Sequence, residues 1–448
     1  MNVNETRHIY FLGIGGIGMS ALARYFHSLG IRISGYDKTS TALTAEMEKM
    51  GMQIHYEDRP ELIPSDIDFV VITPAIPVDS NERVYLEKSG LPIKKRAEVL
   101  GIISRNATCL CVAGTHGKTT TTTLLTHILK SSGVNCTAFL GGIAANYGSN
   151  YIEGNPSLVV MEADEYDRSF LQLKRDGVIV TAVDPDHLDI YGTPENMLSA
   201  YAEFVNGISV DGHLVVRSQL PLNISSKVPV QYYAGESLNR AENIRVENGY
   251  FVFDFIGEQC SISNLEFAMP GRHNIENACA AITLALNYGA NEKGIREALK
   301  NFRGIKRRFE FYIRSEQLNL IDDYAHHPVE LRAAIGAAKE LFAGKKITGV
   351  FQPHLFTRTR DFMREFAESL SLLDELILLD IYPAREKPID GITSAKLLEL
   401  VNGPHKELLS KEDAVKEICQ RKPEVTLILG AGDIDRLPME IKNGLTRE

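Results

Sequence analysis

At 448 residues the chain has a length prior of about three domains of ~150 residues, and 44% hydrophobic with 24% charged residues is the composition of a folded protein. A net charge of −10 excludes a general nucleic-acid or membrane-surface binder, so any anionic ligand must be held by local cations. Six cysteines without CxxC pairs read as free thiols, no apolar run reaches the ~20 residues of a membrane span, and the start lacks a secretory pattern, so a cytoplasmic protein is expected.

Residues 1–106 alternate short apolar runs ("HIYFLGI", "RISGYD", "DFVVITPAI") with helical periods, ending in "IKKRAEVLGII". That rhythm predicts a Rossmann-like parallel sheet. Gly13, Gly15 and Gly18 form GxGxxG around Gly16 and Ile17, and Asp37 follows the next strand. Alone, this pattern points to a dinucleotide such as NAD. The loop at Thr73, Pro74 and Ala75 ends another strand on the same sheet edge.

A second parallel sheet, over 107–303, restarts at "TCLCVAGTHGK". Gly114, Thr115, His116, Gly117, Lys118, Thr119 and Thr120 follow a strand and open a helix, as a phosphate loop requires. Two residues, not the four of a strict Walker A, separate the glycines. The glycines admit backbone N–H groups to phosphate, Lys118 brings a cation and Thr119 a hydroxyl for Mg2+. Five threonines then run from Thr119 to Thr123, at a loss of roughly 2–3 kcal/mol of helix propensity relative to alanine. Bound anion and metal at the helix start offset that loss.

Glu162 ends the strand "SLVVM" beside Asp164, Glu165 and Asp167, carboxylates that repel unless cations intervene. His187, in "DPDHLD", ends the next strand. Carboxylate and imidazole beside a phosphate loop suit Mg2+ shared with ATP. Between about Gly212 and Met269 the texture shifts to short, polar-interrupted strands, including "HLVVRSQ" and "YFVFDFIG", and predicts a small antiparallel annex. "GRHNIENACAAITLALNYG" reads as a capped amphipathic helix. The basic hinge "RGIKRRFEF" leads into a third, Rossmann-like sheet over 304–448. Its "FTRTRD" segment offers Arg358 and Arg360, either able to clamp a carboxylate in bidentate fashion. Arg360 has Asp361 and Glu365 as rival partners.

These motifs, in this order, resemble the Mur ligase family: "FLGIGGIGMSALA", "GTHGKTT", "EADEYD", "DHLDIY", "GRHNIEN", "RRFEF", "DDYAHHP", "FQPHLFTRTRD" and "GAGDI". The resemblance spans nearly the whole chain and implies three α/β domains: a UDP-sugar-binding domain, a central P-loop ATPase-like domain and a C-terminal amino-acid and nucleotide domain. It implies ATP-dependent ligation of L-alanine to the lactyl carboxylate of UDP-N-acetylmuramate, through an acyl phosphate, in peptidoglycan precursor synthesis. The alternative is the branch that attaches a whole murein tripeptide.

By the same resemblance Gly13 to Gly18, Asp37 and Thr73 to Ala75 hold the UDP-sugar. Asn277, Arg308 and Asp323 join the phosphate loop around ATP, and Thr119, Glu162 and His187 serve two Mg2+ ions. Lys118, His187 and Arg358 are the expected catalytic residues, with His327, Arg358 and Arg360 at the amino acid. No lysine lies between Leu188 and Leu214, which fits the alanine-adding branch, since it lacks the carbamylated lysine of other members. Small-molecule substrates, no nucleic-acid or membrane partner, and a monomer or weak homodimer complete the expectation. An NAD oxidoreductase and a non-catalytic nucleotide switch are the rivals from other classes.

Overall fold

The computed structural model describes residues 6–446, apart from 186, 187, 226, 385 and 404 and the side chains of 188 and 189. The chain forms two compact units. The first comprises Met1–Glu242, Asp254–Ser263 and Glu276–Lys300; the second comprises Asn243–Phe253, Asn264–Ile275 and Asn301–Glu448.

In the first unit, β1 (His8–Leu12), β2 (Arg32–Tyr36), β3 (Gln53–His55), β4 (Phe69–Ile72) and β5 (Ile93–Lys95) form a sheet of order β3-β2-β1-β4-β5, parallel throughout. Every residue of β1 is buried, as an unbroken apolar run in a parallel sheet requires. The order reverses between β1 and β4, so the loops after those two strands open side by side, the position where open α/β sheets take ligands.

A second sheet of the same unit contains β6 (Thr108–Ala113), β7 (Thr137–Ala144), β8 (Ser149–Ile152), β9 (Leu158–Glu162), β10 (Gly177–Val180), β11 (His213–Arg217) and β12 (Val230–Tyr233). Its order is β12-β11-β10-β6-β9-β7-β8, parallel except for β7 against β8. The phosphate-loop strand β6 lies between β10 and β9, the strands that lead to His187 and Glu162. One apolar cluster takes in Ile9 of the first sheet and Val178 and Val216 of the second, so the two sheets share a core. The β7–β8 hairpin reinforces it, with Phe139 and Tyr151 both edge-on to Tyr25 of the Ile17–Ser28 helix.

Two expectations need correction. "HLVVR" is not part of an annex; it is β11, parallel to β10, because Leu214, Val215 and Val216 are all buried and need cover on both faces. The annex is the three-stranded sheet of β13 (Arg240–Glu247), β14 (Tyr250–Ile256) and β15 (Ser261–Phe267). The basic hinge is also shorter than expected, since its end begins a strand.

That strand, β16 (Glu310–Arg314), pairs antiparallel with β17 (Asn319–Asp323) at the edge of the second unit's main sheet. The sheet continues through β18 (Ile347–Phe351), β19 (Glu375–Leu378), β20 (His405–Leu408) and β21 (Val425–Leu429), in order β16-β17-β21-β18-β19-β20. Apart from β16 the pairings are parallel. All six cysteines are free.

Candidate active site

The phosphate loop is shaped by two glycines that side chains could not replace. Gly114 has φ 141°, and a Cβ there would stand 2.1 Å from Thr181 Oγ1. Gly117 has φ 78° and caps the Lys118–Ser131 helix in a left-handed conformation. The strand end after β10 braces the loop: Thr115 N donates to Ala182 O at 3.0 Å, and Thr181 Oγ1 donates to His116 O. His116 itself is exposed, 3.7 Å from Asp184. Lys118 Nζ donates to Gly114 O at 2.6 Å and to Glu165 Oε1 at 2.8 Å. Thr120 is buried behind the loop.

Thr119 Oγ1 donates to Glu162 Oε1 at 3.1 Å, while Glu162 Oε2 accepts from Gly141 N at 2.9 Å. Burial raises the Glu162 carboxyl above its ordinary value, against the opposing pull of Lys118, Thr119 and Gly141. A hydroxyl and a carboxylate in contact, one residue from the loop lysine, are the hard-oxygen donors that Mg2+ prefers. His187 lies outside the described residues, and among the described residues no cluster of three or more His, Cys, Asp or Glu side chains gathers for a metal.

The neighbouring carboxylates are neutralised by cations, two of which, Arg96 and Lys95, the sequence had not singled out. Arg96 Nη2 donates to Asp164 Oδ2 at 2.9 Å, Lys95 Nζ stands 3.6 Å from Asp167, and Lys118 takes Glu165. Lys95 ends β5 and Arg96 follows it, 68 residues before Asp164 in the first of these pairs. Asn277 meets the same loop: a Cβ on Gly117 would lie 3.1 Å from its Oδ1.

At the first sheet, Gly13 (φ 92°) turns the chain, and Gly13 N and Ile14 N both donate to Tyr36 O. Gly16 precedes the Ile17–Ser28 helix, and Ile17 is partly exposed. Asp37 Oδ2 accepts from Gly15 N at 2.7 Å, so its carboxylate already occupies one loop donor. Thr73 joins them, since a Cβ on Gly13 would meet its Cγ2 at 2.6 Å. Pro74 and Ala75 continue that loop. The residues expected at the UDP-sugar thus meet at the switch point of one sheet.

In the second unit, Asp323 accepts from Phe309 N and Ala325 N, both at 2.8 Å, and burial pushes its carboxyl up to about 6. Arg307 is committed to Asp322 at 3.2 Å and to Gly430 O at 2.6 Å, whereas Arg308 is exposed. His327 caps the Pro328–Leu341 helix through Nδ1 and stacks edge-on to Phe362. Arg358 and Arg360 lie on the Phe356–Asp361 helix, and Arg360 pairs with Asp361 at 2.7 Å, the rival partner named above.

Arg358 Nη1 lies 3.4 Å from Nδ1 of His354, which packs against His326 and Tyr382. Burial and the charges of Arg358 and His326 lower the pKa of His354. His354 is the residue missed from the sequence, although it stands inside the quoted "FQPHLFTRTRD". Its signal was its place four residues before Arg358, in the turn that leads into the Phe356–Asp361 helix. Leu355, between them, holds φ 73°, a strained value for a branched side chain.

Three family profiles cover most of the chain: the Mur ligase family catalytic domain over residues 8–108, the Mur ligase middle domain over 112–285 and the Mur ligase glutamate ligase domain over 307–432. The chain is 47% identical over 450 residues to a UDP-N-acetylmuramate–L-alanine ligase of Flavobacterium johnsoniae, covering 99% of both chains. It is 47% identical over 458 residues to the enzyme of that name from Parabacteroides distasonis, covering 100% of this chain and 99% of the relative. A crystal structure of UDP-N-acetylmuramate-alanine ligase from Thermotoga maritima superposes with a TM-score of 0.83 at 29% identity, over 98% of this chain and 99% of that one. A murein peptide ligase from Psychrobacter arcticus shares the fold, with a TM-score of 0.67 at 22% identity over 99% of each chain. With a phosphate loop, a glycine loop and an acidic motif assembled as described, this chain belongs to the Mur ligase family.

Proposed function

We infer that this chain joins L-alanine to the lactyl carboxylate of UDP-N-acetylmuramate at the expense of ATP, in the synthesis of peptidoglycan precursors. The observation that carries the reading is the Lys118 and Thr119–Glu162 arrangement on the unit that also bears the glycine loop. The names of the relatives that match end to end support it. Three domains with boundaries at 106 and 303 fit the spans of the three profiles.

The lactyl carboxylate attacks the γ-phosphorus, the bond to the β-γ bridging oxygen breaks, and ADP leaves an acyl phosphate. The amine of L-alanine then attacks the acyl carbon, and phosphate departs as the amide forms. The obstacle is charge, because two like unit charges at ~4 Å repel by about 4 kcal/mol at an effective dielectric of ~20. Lys118 is the loop's fixed counter-charge and holds the transferring phosphoryl group in line. Bound Mg2+ at Thr119, Glu162 and His187 supplies further charge neutralisation of the phosphates; two ions is our reading. Gly114 to Thr120 cradle the phosphates, and Asn277, Arg308 and Asp323 serve the nucleoside. Gly13 to Gly18, Asp37 and Thr73 to Ala75 take the UDP-sugar. Arg358, together with His327 and Arg360, holds the amino acid, because L-alanine offers little but its carboxylate to a bidentate guanidinium. Such substrates fit an enzyme of the cytoplasm.

The test is phosphate release from ATP with UDP-N-acetylmuramate and, in turn, L-alanine, glycine, L-serine and L-Ala-γ-D-Glu-diaminopimelate. Turnover with L-alanine is expected. Turnover with the tripeptide and none with L-alanine would assign the chain to the recycling branch.

A further inference from the structure

We propose that Arg96 is a further substrate-binding residue, the fixed cation for the diphosphate of the sugar nucleotide. The proposal rests on the reading of Gly13 to Gly18 as the sugar-nucleotide loop.

Arg96 opens the Arg96–Arg105 helix directly after β5, on the edge of the first sheet that carries the glycine loop and Thr73. Its guanidinium lies over the glycine loop itself. A Cβ built on Gly18 would stand 2.4 Å from Nη1, 3.1 Å from Cδ and 3.3 Å from Cζ. Gly18 has no positive φ to explain it, so what the glycine provides is room for an arginine. Asp164 holds the group from one side through Nη2, and Tyr166 N in turn fixes Asp164 Oδ1 at 3.1 Å. The other guanidinium N–H groups have no hydrogen-bond partner among the described residues, and the side chain is 25% exposed. An arginine cannot discharge to relieve that situation.

Charge makes the same demand from the ligand's side. Asp37 places a carboxylate on Gly15 N, within the loop that is to receive two phosphates. Lys118 is occupied by Glu165, and Lys95 faces Asp167. Arg96 is therefore the cation positioned against the glycine loop with donors to spare, in a planar fork suited to phosphate oxygens.

The experiment is calorimetric titration of the full-length protein and of Arg96→Gln and Arg96→Lys with UDP, UDP-N-acetylmuramate and ATP. Arg96→Gln should weaken UDP and UDP-N-acetylmuramate together by ten-fold or more, with Arg96→Lys intermediate and ATP affinity unchanged within two-fold. Unchanged UDP affinity in Arg96→Gln overturns the proposal, and so does a loss confined to UDP-N-acetylmuramate, which would place Arg96 at the lactyl carboxylate. Equal loss of ATP affinity in both variants marks a structural role and overturns it too. Failure of the unmodified protein to bind UDP would instead refute the sugar-nucleotide loop on which the proposal stands.

Discussion

Lys118→Ala should do two separable things, and the structure sets the size of each. The ammonium is 16% exposed and lies 2.8 Å from a Glu165 carboxylate that is 1% exposed. Removing one partner of a buried pair costs ~3–5 kcal/mol, because the remaining charge keeps its desolvation penalty. The partial exposure of Lys118 puts the expected loss near the lower end, about 3 kcal/mol in a urea titration. Turnover should vanish as well, since the loop loses its fixed cation. The double variant Lys118→Met/Glu165→Gln separates the effects. It removes both charges and keeps similar volumes, so stability should return to within about 1 kcal/mol of the parent while phosphate release stays absent. A double variant that regains turnover would show that Lys118 acts on Glu165 and not on phosphate. A single variant as stable as the parent would show that Glu165 does not depend on this lysine.

Arg358→Lys should raise the L-alanine KM ten-fold or more, roughly 1.4 kcal/mol, with the ATP KM nearly constant. A rise in the ATP KM alone would move Arg358 to the nucleotide. Gly114→Ala forces a Cβ to 2.1 Å from Thr181 Oγ1 at φ 141°. It should cost about 1–3 kcal/mol of stability and abolish calorimetric ATP binding; near-normal binding would refute the loop geometry. Glu82 is fully buried with its carboxyl bonded to Tyr10, and burial pushes its pKa from 4.5 up to about 7. The native state therefore keeps a proton that the unfolded chain has lost, and stability falls as pH rises from about 4.5 to about 7. Glu82→Gln should flatten that slope in urea midpoints taken across the window; an unchanged slope would assign it to other groups.

The sequence was legible where chemistry is local. Gly114 to Thr120 and Gly13 to Gly18 announce themselves by spacing, and the structure places each loop after its strand. It was opaque where partners come from afar. Nothing near "EADEYD" signals that Arg96 and Lys95 neutralise it, since the pairing exists only once the helix after β5 and strand β9 pack into a shared core. The β7–β8 hairpin escaped notice because Gly141 and Gly142 interrupt its apolar pattern, although Gly141 is needed for its N–H to reach Glu162. "HLVVR" was misjudged for a different reason: a five-residue run reads the same in a polar annex and in a buried parallel sheet.

The threonine run after Lys118 has a consequence for how the protein assembles. Thr122 and Thr123 donate back to Lys118 O and Thr119 O at 2.7 Å, Thr126 to Thr122 O at 2.8 Å, and Thr119 to Thr123 are all buried. Such a helix draws its stability from its surroundings and little from itself. It needs β6, β7 and β9 in place to bury it, so the nucleotide site is assembled together with that sheet. A nascent or partly unfolded chain therefore carries no phosphate-loop helix with which to capture ATP.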